Sequence, residues 1–223
     1  MSFNIAIDGP AGAGKSTIAR QVAKKLGYIY VDTGAMYRAM AYYLLRQGVA
    51  PDDAGATERV CEFADISIAY ENGEQQVILN GENVTEFLRT EEVGNMASVS
   101  SANPAVRRKL VELQQRMASV TDVVMDGRDI GTQVLPGAQV KIYLTAGAGI
   151  RAIRRYEELK EKGILGDLEQ IQRDIEQRDY RDMHREISPL VQAEDAVYLD
   201  TSHMGIQEVV EAVLKLCKER QNG

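Results

Sequence analysis

One short segment constrains the fold of this chain more than any other. Residues 9–16 read GPAGAGKS and match the pattern G-x-x-x-x-G-K-[ST]. A β-prone run over 4–7 precedes the segment, and a helical pattern over 15–26 follows it and ends at Gly27. Glycines let backbone N–H groups curl around phosphate oxygens, and a helix N-terminus adds its positive dipole end. The order strand, loop, helix predicts a phosphate-binding loop (P-loop) for ATP rather than a simple glycine-rich turn.

The loop also predicts its own chemistry. We expect ATP to be bound by Gly9, Pro10, Ala11, Gly12, Ala13, Gly14, Lys15, Ser16 and Thr17. Lys15 should reach the β- and γ-phosphates and act in catalysis, and the Ser16 hydroxyl should bind Mg²⁺. Asp126 directly follows the apolar run 123–125, which is typical of a Walker-B carboxylate that holds Mg²⁺ directly or through water. The alternative is that Asp126 only caps the next turn.

Short apolar runs alternate with helical patterns along the chain, which indicates a parallel α/β sheet covered on both faces. The predicted strands are 4–7, 28–31, 123–125, 140–144 and 196–199. The region 66–88 breaks the alternation, because Asn72-Gly73 and Asn80-Gly81 each lie between β-prone runs and favour tight hairpin turns. We predict an α/β P-loop kinase fold, with a parallel five-stranded sheet flanked by helices and an inserted small antiparallel β meander. The meander is either a surface decoration or a flap over an acceptor substrate.

Charge and composition exclude several other classes. The net charge of −7 argues against a general nucleic-acid binder, which needs a basic surface. No apolar run approaches the roughly 20 residues that cross a bilayer, and the first residues do not resemble a signal peptide. Cys61 and Cys217 lack metal-binding spacing, so we expect buried thiols in a reducing cytoplasm. A GTPase would need the guanine-reading motif N-K-x-D, which the sequence lacks.

Arginines recur at helical spacing in the last third of the chain. One group comprises Arg151, Arg154 and Arg155. A second comprises Arg178, Asp182 and Arg185, at positions i, i+4 and i+7 of one predicted helix face. Such groups are suited to clamp a transferring phosphoryl group, and they are also typical of solvated faces with exposed ion pairs.

Longer motifs make the sequence resemble the bacterial cytidylate kinases, within the nucleoside monophosphate kinase family. The matching segments are 7–17 (IDGPAGAGKST), 32–38 (DTGAMYR), 126–132 (DGRDIGT), 140–144 (VKIYL), 178–185 (RDYRDMHR) and 188–190 (SPL). They span nearly the whole chain in order, and the β-rich insert is characteristic of the bacterial branch. The segment DGRDIGT after a strand is far more specific than the P-loop alone.

The resemblance implies a single kinase domain over 1–223 with three parts. The core comprises 1–34 and 111–223, a monophosphate-binding region of about 35–110 contains the insert, and a short helical lid covers about 150–165. The lid carries Arg151, Arg154 and Arg155, which are expected to be catalytic together with Arg128. Gly163 and Gly166 could absorb the rotation of a hinge there.

The resemblance also implies the acceptor site. The monophosphate or the moving phosphoryl group should be held by Thr33, Arg38, Arg128, Arg178 and Arg185. Cytosine should be read by Ser98, Arg107 and Asp129, and the sugar should be bound by Asp182. The family often has serine where this chain has Thr33, so the hydroxyl is kept and a methyl group is added.

The predicted reaction is transfer of the ATP γ-phosphoryl group to CMP, and also to dCMP, giving CDP or dCDP and ADP in pyrimidine metabolism. A phosphate monoester is already a competent nucleophile, so no general base is required, and neither His184 nor His203 receives a role. Two alternatives stay open: a kinase for another nucleotide or a metabolite alcohol, and a nucleotide-sensing module that transfers nothing. We expect a cytoplasmic monomer that uses Mg²⁺ and binds neither nucleic acid nor membranes.

Overall fold

The computed structural model describes residues 2–71 and 74–221. The strands are β1 (Asn4–Asp8), β2 (Ile29–Asp32), β3 (Ile66–Glu71), β4 (Glu74–Leu79), β5 (Glu82–Asn83), β6 (Val123–Gly127), β7 (Val140–Thr145) and β8 (Val197–Asp200). The helices are α1 (Lys15–Leu26), α2 (Thr33–Arg46), α3 (Ala54–Cys61), α4 (Glu91–Ser100), α5 (Pro104–Val120), α6 (Ala148–Glu161), α7 (Leu168–His184) and α8 (Ile206–Gln221). A 3-10 helix covers Thr85–Arg89 and a π-helical turn covers Ile130–Val134.

The chain divides into two compact units. The core unit comprises Phe3–Tyr30 and Asp122–Gly223, and the inserted unit comprises Val31–Thr121 together with Met1–Ser2. Among the helices of the described residues, none has the length and the apolar composition that crossing a membrane requires. The sequence-based bounds of the monophosphate-binding region and the lid stay predictions.

The core unit is built on a five-stranded sheet in the order β2-β6-β1-β7-β8, which confirms the predicted sheet. Strand β1 pairs in parallel with β6 and with β7, and β7 pairs in parallel with β8. The expectation that every strand is covered on both faces is wrong for β8. This strand lies at the edge, and its Val197 and Tyr198 are 39% and 57% exposed.

Helices α1 and α8 pack against each other and against the sheet. The shared apolar core includes Ile5, Ile7, Ile18, Val22, Val124, Ile142, Leu144, Val209, Val210, Val213 and Cys217. Each valine, leucine or isoleucine side chain of this core contributes roughly 1.5–3 kcal/mol when it is fully buried. Cys61 and Cys217 are both buried free thiols, as predicted.

Helix α1 begins directly after Gly14 and ends at Gly27, as predicted. Gly27 has a φ of +73°, and the chain leaves the helix there in the left-handed conformation that glycine adopts at little cost. The P-loop is thereby followed by a helix with defined ends, whose N-terminus points its N–H groups back at the loop.

The predicted helical face of Arg178, Asp182 and Arg185 is wrong at its last member. Helix α7 ends at His184, and Arg185 already has the extended backbone φ of −66° and ψ of 143°. Pro189 disfavours helical geometry at the residue before it, and Ser188 has a φ of +50°. The segment after the helix folds back, so that Leu190 N–H donates to the carbonyl oxygen of Asp182 over 2.8 Å.

The inserted unit combines α2 to α5 with an antiparallel sheet in the order β3-β4-β5. The second predicted turn is confirmed, because Asn80 and Gly81 both have positive φ angles, of 49° and 84°. The first predicted turn, Asn72-Gly73, lies outside the described residues. The meander thus exists, and a flap role for it stays a prediction.

Candidate active site

The candidate site of the core unit lies at the carboxyl ends of three neighbouring strands. Strand β1 ends at Asp8 and leads into the P-loop, β6 ends at Gly127 and leads into Arg128, and β7 leads into α6. Ligands of open α/β sheets bind at this edge, because the loops and helix N-termini converge there.

Glycines in the P-loop are required by its backbone. Gly9 has a φ of +149°, and a Cβ at this position would overlap with the backbone carbonyl oxygen of Leu144 in β7. Gly12 and Gly14 have left-handed φ angles of +72° and +88°. Only glycine fits this combination of close approach and backbone angle, which supports the assignment of a built loop rather than a casual turn.

Lys15 is buried at the start of α1, and its Nζ donates to the carbonyl oxygen of Pro10 over 2.8 Å. Burial lowers the pKa of Lys15 to about 7, with repulsion from Arg128 adding to the effect. Asp126 and Asp8 oppose the shift. An anionic triphosphate beside the ammonium group would raise this pKa, so the site favours the charged lysine most when a nucleotide is bound.

Ser16 and Asp126 lie together, as the motif predicts. The Ser16 Oγ donates to Oδ2 of Asp126 over 2.9 Å, and the hydroxyl of Tyr30 donates to Oδ1 over 2.8 Å. Asp126 therefore contacts two hydroxyl groups and does not merely cap a turn. Oxygen donors of this kind suit Mg²⁺, which takes one or two protein ligands and completes its shell with phosphates and water. Residues 2–71 and 74–221 contain no group of three or more His, Cys, Asp or Glu side chains that could hold a metal ion.

Asp8 is a buried carboxylate that sequence reasoning missed. Its Oδ1 accepts from Ile130 N–H over 2.8 Å, and its Oδ2 accepts from Gly131 N–H over 2.7 Å. Burial raises the pKa of Asp8 to about 6, although both backbone hydrogen bonds oppose the shift. Asp8 therefore ties the end of β1 to the loop that carries Arg128 and Asp129. A strand-end acid directly before the P-loop was the signal that could have identified it.

The predicted acceptor residues of the core unit form two pairs. Arg128 Nε donates to Oδ2 of Asp182 over 2.8 Å, in a pair whose side chains are about one-fifth exposed. Arg185 Nη2 lies 3.4 Å from Oδ1 of Asp129, which is long for a charge-assisted hydrogen bond. The structure thus brings Arg128, Asp129, Asp182 and Arg185 together near the ends of β6 and α7. Arg178 is exposed on α7, and its positive charge contributes to lowering the pKa of Lys15.

The three arginines of the predicted lid have different surroundings. Arg151 is buried and contacts the P-loop and α7. Arg154 donates through Nη2 to the carbonyl oxygen of Thr201 over 2.6 Å. Arg155 forms an exposed pair with Glu158 at 2.8 Å, the arrangement expected of a solvated helix face.

Four predicted acceptor residues belong to the inserted unit. Thr33 is buried at the first position of α2, and Arg38 lies one turn later in the same helix. Ser98 is exposed on α4. Arg107 is buried on α5, donates through Nη1 to the carbonyl oxygen of Ser101 over 3.2 Å, and lies over the ring of Tyr37. Their roles in binding stay predictions.

Comparison with known protein families shows which family this chain belongs to. The profile of the family described as cytidylate kinase matches residues 5–219. The chain belongs to the cytidylate kinase family. The match covers the P-loop, Asp8 at the end of β1, Asp126 in β6, and helix α7, so every part of the core-unit site lies inside it.

Individual relatives agree over almost their full lengths. A cytidylate kinase of Ligilactobacillus salivarius (strain UCC118) is 50% identical over 220 residues, covering 99% of this chain and 98% of the relative. One from Caldicellulosiruptor saccharolyticus is 51% identical over 214 residues, covering 96% and 95%. An uncharacterized protein of Eubacterium ventriosum has a similar fold, with a TM-score of 0.54, 11% identity, and coverage of 98% and 99%. This last likeness concerns the fold alone.

Proposed function

We propose that this member of the cytidylate kinase family transfers the γ-phosphoryl group of ATP to CMP, and also to dCMP, by in-line displacement. The observation that carries the proposal is the joint placement of Lys15, Ser16 and Asp126 at one sheet edge in a chain of this family. The cytidylate kinase relatives favour phosphoryl transfer over a nucleotide-sensing module, which would use the same three residues to bind Mg²⁺ and nucleotide.

On the donor side, the P-loop backbone would cradle the phosphates and Lys15 would reach the β- and γ-phosphates. Ser16 and Asp126 would hold Mg²⁺, directly or through water, because their oxygens already lie side by side. When bound, Mg²⁺ would supply positive charge that offsets the negative charge of the donor phosphates. Tyr30 fixes the orientation of the Asp126 carboxylate through its own hydrogen bond.

On the acceptor side, we assign the phosphate of CMP to Thr33, Arg38, Arg128, Arg178 and Arg185. The base is assigned to Ser98, Arg107 and Asp129, and the sugar to Asp182. The support is the family membership together with the clustering of the four core-unit members Arg128, Asp129, Asp182 and Arg185. Asp182 already holds the Arg128 guanidinium in place, so a single carboxylate can orient the arginine and accept from a sugar hydroxyl.

Catalysis is then positioning and charge stabilisation. Two polyanions repel each other, and fixed guanidinium groups offset this repulsion most where charge moves in the transition state. Arg154 and Arg155 would join the clamp when the lid closes. For Arg155 this would mean breaking its pair with Glu158, which costs little free energy because the pair is exposed. A closed lid also excludes the water that would otherwise hydrolyse ATP.

The test is an ADP-release assay with CMP, dCMP, UMP, AMP and GMP as acceptors and Mg²⁺ in excess over ATP. The proposal expects rapid turnover with CMP and dCMP and slower turnover with the other three. A faster rate with another nucleotide would favour a different monophosphate kinase. ATP binding with no acceptor-dependent ADP release would favour the sensing module instead.

The proposal also includes the cellular compartment and the oligomeric state of the protein. We infer a cytoplasmic monomer, because both cysteines are buried free thiols and a closing lid must move without obstruction. Sedimentation at micromolar concentration would show a single species of the 24.7 kDa chain mass.

A further inference from the structure

Arg151 sits at a junction of three elements of the core unit. Its Nε donates to the carbonyl oxygen of Ala146, directly after β7, over 2.7 Å. Its Nη1 donates to the carbonyl oxygen of Ala11, in the P-loop, over 2.8 Å. The same Nη1 lies 2.6 Å from Oδ2 of Asp179 on α7.

Asp179 completes the arrangement from the other helix. Its Oδ1 accepts from Ala11 N–H over 3.1 Å while its Oδ2 faces Arg151. The backbone of Ala11 is therefore held at both its N–H and its C=O by one ion pair. Arg151 and Asp179 are 5% and 7% exposed, so the pair is shielded from water and from salt.

We propose that Arg151 and Asp179 are positioning residues for the ATP donor, which set the shape of the P-loop by gripping Ala11 rather than by touching phosphate. The proposal rests on the proposed function only in that the donor is ATP. For Arg151, it replaces the expected role of clamping phosphate. The expected roles of Arg154 and Arg155 are unchanged.

The geometry explains why a guanidinium is needed. A planar guanidinium presents several donors in fixed directions, and here they meet three oxygens on three elements. Gly12 lies beside the same side chain, because a Cβ built there would come within 3.5 Å of the Arg151 Cβ. The loop is thus held in register against α6 next to the glycine that must keep its left-handed backbone.

Helix α7, which carries Asp179, also reaches the acceptor side. Asp179 holds the P-loop, and one turn later Asp182 holds Arg128. The two contacts are made by different side chains, so a change at Asp179 releases the P-loop and leaves the Asp182–Arg128 pair in place. A displacement of about 1 Å at such a site can cost roughly a hundredfold in rate.

The experiment measures donor and acceptor binding separately in Arg151→Lys, Asp179→Asn and the double variant. Asp179→Asn keeps an acceptor for Ala11 N–H and removes the charge that faces Arg151. Arg151→Lys keeps the charge, but one ammonium group cannot meet three oxygens on separate elements. Arg173→Lys is the matched control, since Arg173 forms an exposed α7 pair with Glu169 at 3.5 Å.

We expect the Kd for a non-hydrolysable ATP analogue to rise about tenfold or more in each single variant, up to roughly a hundredfold. The KM for CMP at saturating ATP should change by less than about twofold. The double variant should bind the analogue about as weakly as the worse single variant, because both changes release the same backbone group. The control should bind the analogue as the wild type does.

An unchanged Kd for the ATP analogue in folded variants would overturn the proposal, as would additive effects in the double variant. Equal losses for ATP and CMP would also overturn it, since they indicate general damage. Circular dichroism monitors folding. If Asp179→Asn does not fold, Arg151→Lys decides alone, by whether its Kd for the ATP analogue rises while its KM for CMP does not. A wild type that binds the analogue without phosphorylating CMP would reject the proposed function and leave this test valid.

Discussion

Gly131 N–H donates to Oδ2 of Asp8 over 2.7 Å, at a place where a Cβ would fit only if its neighbours shifted by a few tenths of an ångström. A Cβ at Gly131 would lie 3.3 Å from that oxygen and 3.2 Å from Cδ of Lys141. Lys141 is itself fixed by Asp195 at 2.8 Å, so neither neighbour can yield freely. The loop with Arg128 and Asp129 is thereby fastened to the strand that starts the P-loop.

Gly131→Ala should therefore lower kcat/KM for CMP by about tenfold or more, because it pushes the Arg128–Asp129 loop away from Asp8. Asp8→Asn should act in the same direction, since its amide would face one of the two backbone N–H groups and cost about 1–3 kcal/mol. Steady-state kinetics and thermal unfolding measure the two effects. Gly137→Ala is the control, because a Cβ there meets nothing within 4 Å. A Gly131→Ala enzyme as active as the Gly137→Ala enzyme would contradict the role of this contact.

Lys15→Ala should abolish phosphoryl transfer and leave the fold intact. The lost electrostatic stabilisation of the transition state is on the order of 3 kcal/mol or more, which is at least a hundredfold in kcat. Burial lowers the pKa of Lys15 to about 7, so removing this charge from the interior should not lower thermal stability much. Lys24→Ala, on the exposed side of α1, is the matched control. If Lys15→Ala kept more than about a tenth of the wild-type kcat, the assignment of the donor site would fail.

Cys217 makes stability depend on pH in the alkaline range. Burial raises the pKa of its thiol from 9.0 to about 11 in the folded state. Below pH 9 the thiol is protonated in both states, and as pH rises towards 11 only the unfolded chain releases the proton, so stability is lost. The loss approaches about 3 kcal/mol, at 1.36 kcal/mol for each unit between the two pKa values. Urea unfolding of the wild type and Cys217→Ala at pH 8 and pH 10.5 should show a steeper loss in the wild type. Parallel losses would refute this origin.

Local signals in the sequence identified most of the core unit. The P-loop, the strand that carries Asp126 and the helix that ends at Gly27 each follow from residues close together in the chain, and the structure places them as expected. The Asn80-Gly81 turn is equally local. The exposure of β8 was not predictable, because an apolar strand has the same composition at an edge as in the middle of a sheet.

The sequence indicated which residue types the candidate site contains, but not which side chains contact each other. The pairing of Arg151 with Asp179 joins residues that are 28 positions apart, and the contact of Asp179 with Ala11 spans 168. No periodicity encodes such contacts, because they depend on how α6 and α7 pack beside the P-loop. The contacts of Asp8 were unpredictable for the same reason, since its partners lie more than 120 residues later. The helical face through Arg185 failed because α7 ends at His184 and Arg185 already has an extended backbone.

Asp129 should set the choice between CMP and UMP under the proposed function. Asp129 is 5% exposed, and its Oδ1 lies 3.4 Å from Nη2 of Arg185, while its neighbour Arg128 donates to Asp182. It makes no side-chain hydrogen bond that caps the following turn, so capping does not account for it. A carboxylate accepts from the N4 amine of cytosine and repels O4 of uracil.

Two variants separate this role from a structural one. Asp129→Ala removes both effects, so kcat/KM should fall more for CMP than for UMP, and the ratio should narrow. Asp129→Asn keeps an acceptor for N4 and adds a donor for O4, so kcat/KM for UMP should rise in absolute terms. Each mismatched polar contact is worth about 1–3 kcal/mol, so the ratio should change by roughly tenfold or more. Asp174→Ala, on the exposed side of α7, controls for the loss of one negative charge. A ratio of CMP to UMP that stayed at the wild-type value in both Asp129 variants would remove Asp129 from base recognition. The other assigned base contacts, Ser98 and Arg107, would then have to account for any preference for cytosine.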